Sequence, residues 1–197
     1  MKTGMRLTTA VMVVCCAMGA QAQMGNDTPP VAVGQAIEPA KALDEMLTMF
    51  ESQAVAAAKA MPADKYGFAP SAAAFASGSP AKFDKVRTFA QQVAHVAQAN
   101  YYFYMTLSGL KPDVDMKAMS GLKTRDECVA ALEGSFAFGH KALATVTAAN
   151  AFESIKGADG LHTRATLADF AVAHGFDHYG QMVEYLRMNG VLPPGSK

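Results

Sequence analysis

The chain has 197 residues, with 17 basic side chains against 17 acidic ones, and 51% of its residues are apolar. Charge this balanced leaves no electrostatic footprint for nucleic acid or for an anionic membrane surface. The length suffices for one substantial apolar core.

The first residues come in three parts: Lys2 and Arg6, the apolar run Leu7 to Met18, and Ala20-Gln21-Ala22 before Gln23. This is the layout of a secretory signal peptide with an A-x-A cleavage site, and its apolar core is too short to span a bilayer comfortably. The expectation is an exported protein, periplasmic or secreted, with no membrane association once residues 1–22 are removed. Residues 23–35, rich in Gly, Asn, Asp, Pro and small side chains, read as a flexible tether, and 36–197 as the folded body. Cys15 and Cys16 leave with the leader; the residues before them, Val14 and Cys15, break the small-residue rule of a lipidated cysteine. Cys128 then remains alone, so no intramolecular disulfide forms and stability must come from burial. It reads as a small buried hydrophobe rather than a reactive thiol.

Four helices follow in order. Pro39 to Met61 has no internal Pro or Gly, and Leu43, Leu47, Phe50, Ala54, Ala57 and Met61 share one stripe. Pro62 ends that helix, and residues 62–81 read as a loop anchored by Tyr66 and Phe68. A second helix is predicted from about Pro80 to Leu107, with Val86, Val93, Ala97, Asn100 and Tyr104 in one stripe. On this wheel His95 falls beside Thr88, Gln92, Ala99 and Tyr102, a side that periodicity alone would leave exposed. Residues 108–123, with Gly109, Pro112 and Gly121, are long enough to return along a bundle as a crossover. Thr124 and Glu127 form a capping box for the third helix, whose apolar period runs through Val129, Leu132, Phe136, Gly139, Leu143 and Val146. His140 sits at the edge of that stripe and reads as a surface or groove residue. Residues 150–163 read as a loop with a solvated His162. Thr166 and Asp169 offer a cap for a fourth helix that Gly190 ends.

Within this last segment lies His174-Gly175-Phe176-Asp177-His178. Two histidines four apart share one side of a helix and can reach one point beside it. They interrupt the apolar row Leu167, Ala171, Met182, Tyr185, so they need partners there. A metal supplies them, and so do hydrogen bonds to neighbouring helices; the spacing fits both. Gly-rich phosphate loops, G-x-S-x-G, C-x-x-C-H, Glu-x-x-His and H-E-x-x-H are all missing. Met46-x-x-Met49 and Met116-x-x-Met119 read as core filler rather than a copper site. No catalytic residue and no organic cofactor site can be picked out.

Several stretches together resemble a known family. They are Met61-Pro62-Ala63-Asp64-Lys65-Tyr66, then Val93-Ala94-His95-Val96-Ala97, then His174-x-x-x-His178-Tyr179-Gly180-Gln181-Met182-Val183-x-Tyr185-Leu186-Arg187, and last Val191-x-Pro193-Pro194. In this order they are similar to the DinB-like (DinB/YfiT) family, over nearly the whole chain after the leader. The resemblance implies an all-α fold, a single four-helix bundle with a long crossover between helices two and three. It also implies a divalent metal held by His95, His174 and His178, and it makes a homodimer an expectation.

Three neutral imidazoles leave coordination positions for water or substrate. Zn²⁺ suits them first, with Ni²⁺, Fe²⁺ or Mn²⁺ as further fits. Tyr179, Asp177, Asn100 and Tyr102 are candidates to fix the rings. The function expected is a metal-dependent hydrolase or thiol transferase acting on a small electrophile. The alternative is a non-catalytic bundle that binds a metal, a small ligand or a partner protein.

Overall fold

The computed structural model describes residues 31–75 and 77–195, and the residues from Val33 on form one compact unit. The leader predicted over residues 1–22 lies outside the described residues; of the tether, 31–35 are described and exposed. Four helices carry the structure: α1 (Pro39–Ala60), α2 (Phe89–Ser108), α3 (Arg125–Leu143) and α4 (Arg164–Met188). No helix among the described residues is long and apolar enough to cross a membrane.

Local chemistry sets the ends of these helices. Pro at the start of α1 gives up no hydrogen bond, because the first amides of a helix have no partner within it. Thr124 with Glu127 forms the capping box expected for α3. For α2 the box is Thr88 with Gln91, so the helix begins at Phe89, nine residues after the predicted start at Pro80. The loop after α1 fixes that start as well: Phe89 and Ala90 donate their amides to the carbonyls of Phe68 and Tyr66, at 2.8 and 2.9 Å. Tyr66 in turn donates its hydroxyl to Ala58 O at 2.7 Å, and Phe68 packs edge-on against Tyr185. The cap of α4 is Thr163, not Thr166, which takes the third helical position instead.

The loop expected over residues 150–163 contains a hairpin, β1 (Ser154–Ala158) and β2 (Leu161–Thr163), paired antiparallel with Ser154 opposite Thr163 and Ala158 opposite Leu161. The fold is therefore mostly helical rather than purely so. Asp159 and Gly160, both at positive φ, make the two-residue turn, and Asp-Gly is among the strongest hairpin signals a sequence carries. His162 on β2 is exposed as expected.

Each helix packs on two others, α1 and α2 each touching both α3 and α4. The core holds Phe50, Phe89, Tyr104, Leu132, Phe136 and Met182, all fully enclosed. Contacts between α2 and α3 climb together along the two helices, from Ala90 with Cys128 to Asn100 with Ser135 and Tyr104 with Gly139. Between α2 and α4 they run in opposite order, from Arg87 with Tyr185 to Gln92 with His178 and Phe103 with Phe170. This second set brings the middle of α2 against the histidines of α4.

Candidate metal centre

His174 and His178 stack one turn apart on α4, and His95 faces them from α2. The ring centroids lie 4.6 Å apart for His95 and His178, 4.7 Å for His174 and His178, and 5.3 Å for His95 and His174. One ring nitrogen from each falls within 4.8 Å of the others, so the three could hold a single metal ion. The exposed position that the helical wheel gives His95 is thus corrected. A period of ~3.6 residues places side chains around an axis but does not say how many neighbouring helices surround it. α2 is covered on two sides, and Gln92, on the supposedly outer side, is only 1% exposed.

The nitrogen chemistry of the three rings fits a ligand set. His178 donates Nδ1–H to Gln92 Oε1 at 2.9 Å. Gln92 can present its oxygen there because its own Nε2 donates to Gln181 Oε1 at 2.7 Å. Gln181 is turned the same way by Asp177, whose Oδ2 accepts from Gln181 Nε2 at 3.3 Å. A carboxylate at one end therefore orients two amides, and the second amide fixes the tautomer that leaves Nε2 of His178 as a free lone pair. Nε2 of His174 is buried and has no hydrogen-bond partner among the described residues. A buried polar atom left this way is destabilising by about 1–3 kcal/mol unless something binds it. A cation does so, and the donor set fits one.

Charge state agrees with that fit. Burial, then the Arg87 charge, then the other two imidazoles push His95 down to about 4. His178 also falls to about 4, by burial first, then His174 and Arg87, with Asp177 opposing. Burial lowers His174 as well, against an opposing pull from Asp177. All three rings are neutral at physiological pH, as ligation requires.

The rest of the surroundings are mostly apolar, with Gln98 and the Tyr102 hydroxyl as the polar groups of the cavity lining. Phe103 meets His174 edge-on at 5.7 Å, and Phe170 lies 6.0 Å from the same ring. A cavity of about 300 Å³ opens beside His95 and His174, walled by Ala99, Tyr102, Phe103 and Met116.

A family model describes this chain over residues 46–182, a span that holds all three histidines. The chain belongs to the DinB superfamily. No curated protein gives a significant match to it.

Of the side chains expected to steady the rings of this DinB site, Asp177 does so only at a distance, through Gln181 and Gln92. Asn100 instead donates to Ser135 Oγ on α3 at 3.0 Å. Tyr179 packs edge-on against Phe176 rather than a histidine, and Tyr102 lines the cavity. Gln92 went unrecognised in the sequence, although its place one turn before His95, on the side of α2 that holds His95, was a usable signal. The core-filler reading holds for buried Met119 and for Met116, which packs against the core while lining the cavity, but not for Met46, which is 46% exposed. Cys128 is fully buried, with burial pushing its thiol up to about 11, as suits an inert hydrophobe. His140 stands apart from the metal centre, half-buried between Asp44 and Glu51.

Proposed function

We propose that the protein is an exported metalloprotein in which His95, His174 and His178 hold one divalent cation, Zn²⁺ by preference for nitrogen donors, and that it acts on a small electrophilic molecule in the adjoining cavity. The observation that carries this reading is the buried, unpartnered Nε2 of His174 in a cluster of three neutral imidazoles. Export is supported by the three-part layout of residues 1–22.

A divalent cation bound there would supply a Lewis acid with open positions for an oxygen- or sulfur-bearing ligand. The chain's own residues orient and dry the site. Gln92 holds the His178 ring, Asp177 and Gln181 hold Gln92, and Phe103 and Phe170 exclude water from the side of His174. Among the described residues that line the cavity there is no carboxylate to serve as a general base. The lining suits transfer of a thiol and hydrolysis alike, since a thiol and a water activated by a divalent cation are both weak acids. It also keeps a non-catalytic ligand-binding role as the second reading.

The topology belongs to the same reading. With α2 and α3 running in one direction, the connector over residues 109–124 returns along the four-helix bundle as a crossover. Its length allows this, since 16 extended residues reach roughly 50 Å against about 30 Å for the 20 residues of α2.

Elemental analysis of protein purified without a chelating tag tests the proposal. About one equivalent of metal is expected, falling to background in His174→Ala His178→Ala. Equal metal in the two proteins would remove the three-histidine site from consideration.

A further inference from the structure

The cavity beside the histidines holds more information than the ligand set does. Its volume of about 300 Å³ is about twice that of an engineered apolar cavity that admits benzene. Two of its walls are Ala99 and Phe103 on α2, and a third is Met116, from the connector between α2 and α3. Met116 is held in place by Gln98, whose Nε2 donates to the Met116 carbonyl at 2.9 Å. With that nitrogen engaged, the one amide side chain of the lining acts mainly as an anchor for the wall. Tyr102 and Phe170 stay 41% and 37% exposed, and with Phe103, 5.3 Å from Phe170, they continue the apolar surface outward. Among the described residues that line the cavity there is no Lys, Arg, Asp or Glu. A charged group seated against these walls would find no counter-ion among the lining side chains.

We infer that the site receives a small molecule with an uncharged, mainly apolar body about the size of a substituted benzene, its reacting group toward His95 and His174, and that Met116 sets the size and polarity of what enters. The orientation of the reacting group rests on the metal reading above; the apolar preference and the role of Met116 do not. A thioether suits this role, being polarizable, flexible and able to pack against aromatic rings. Met119, three residues further on and 6% exposed, fixes the connector in the core while Met116 lines the cavity. The paired methionines thus have different tasks.

Two titrations test this and separate it from the metal proposal. In the first, metal-free full-length protein carrying ¹³C-methyl methionine is titrated with benzyl alcohol and with benzoate, the Met116 signal being assigned from Met116→Ala. Benzyl alcohol is expected to shift that signal saturably and benzoate to leave it in place. A larger response to benzoate, or none to either, overturns the inference whatever the metal does.

In the second, Co²⁺-loaded protein is titrated with acetohydroxamate, benzohydroxamate and 4-carboxybenzohydroxamate while the visible spectrum of Co²⁺ is followed. Burial of the phenyl ring should tighten binding about 10- to 50-fold over acetohydroxamate, and the added carboxylate should remove most of that gain. Met116→Lys should reverse the preference between the neutral and carboxylated rings, with acetohydroxamate little changed. Equal affinity for the three compounds overturns the inference. Failure to take up Co²⁺ overturns the metal proposal instead, and the first titration then decides the apolar preference alone.

Discussion

Gln92 Oε1 stands 2.9 Å from His178 Nδ1, with the glutamine 1% and the histidine 5% exposed. Neither side chain has water to turn to, so each fixes the other's orientation. Gln92→Leu keeps approximate size but removes the acceptor, freeing the His178 ring to rotate and to change tautomer. Metal affinity should fall about 10- to 100-fold, as measured by competition with a chromogenic chelator, while helical content stays unchanged. An unchanged affinity would show that the ring needs no partner. Asp177→Leu acts two hydrogen bonds further along and should give a smaller loss in the same assay.

The three imidazoles also make a statement about pH. Their folded pKa values lie below the ordinary range, at about 4 for His95 and His178. Between pH 4 and about 6.5 the unfolded chain therefore binds protons that the folded, metal-free chain does not. The stability tied to these rings is fully present above pH 6.5 and is lost as pH falls toward 4. Urea unfolding of metal-free protein at pH 7.5 and pH 5 should show that loss, and His95→Gln should reduce it. A pH dependence of equal size in the variant would mean that other groups cause it.

His140 works in the opposite direction. Its Nδ1 lies 2.5 Å from Asp44 Oδ1 and its Nε2 2.9 Å from Glu51 Oε2. Partial burial disfavours the charged ring, but hydrogen bonds to the two carboxylates outweigh that and raise its pKa. The bridge from α3 to α1 is therefore strongest below pH 6.5 and weakens as pH rises through the raised folded value. All three side chains are partly exposed, so His140→Ala should destabilise by only about 1 kcal/mol at pH 6. The difference from wild type should shrink by pH 9, and thermal melts at the two values check it. A penalty that grows toward pH 9 would contradict the ion-pair account.

How much of this was readable in the sequence depends on which interactions are local. The capping box of α3, the stop at Gly190 and the stripe of α1 all involve residues within a turn or two of one another. The start of α2 was misplaced because part of what decides it, the carbonyls of Tyr66 and Phe68, comes from 20 or more residues earlier. The hairpin was missed although Asp159-Gly160 announced it, because its two short strands carry little apolar alternation. His174 and His178 were visible as a pair because four-residue spacing is a property of one helix. Convergence of His95 on them depends on how α2 is rotated against α4, which periodicity within α2 does not fix. The likeness of whole segments to a family points to that residue where periodicity does not. Gln92 had no such help, since a lone glutamine on a wheel looks like any solvated side chain.

Gly175 sits between the two histidines of α4 and lies directly against Phe50 of α1. A Cβ built there would lie 2.2 and 2.3 Å from Cζ and Cε1 of Phe50. Phe50 cannot easily yield, because it is fully enclosed and its ring packs against Phe136 at 5.3 Å and Phe176 at 5.0 Å. In an exposed helix Gly→Ala would stabilise by up to about 1 kcal/mol; here overpacking should reverse the sign and destabilise by about 1–3 kcal/mol. Because His174 precedes the glycine directly, the shift of α4 needed to admit a methyl group should also displace that imidazole and weaken metal binding. Gly175→Ala combined with Phe50→Leu opens space for the methyl group and should recover metal affinity more fully than stability, since the smaller side chain leaves part of the aromatic cluster unfilled. Chemical unfolding and chelator competition on the two proteins check both halves. A single Gly175→Ala variant that is more stable than wild type and binds metal equally well would show that α1 and α4 are not in the tight contact seen between Phe50 and Gly175.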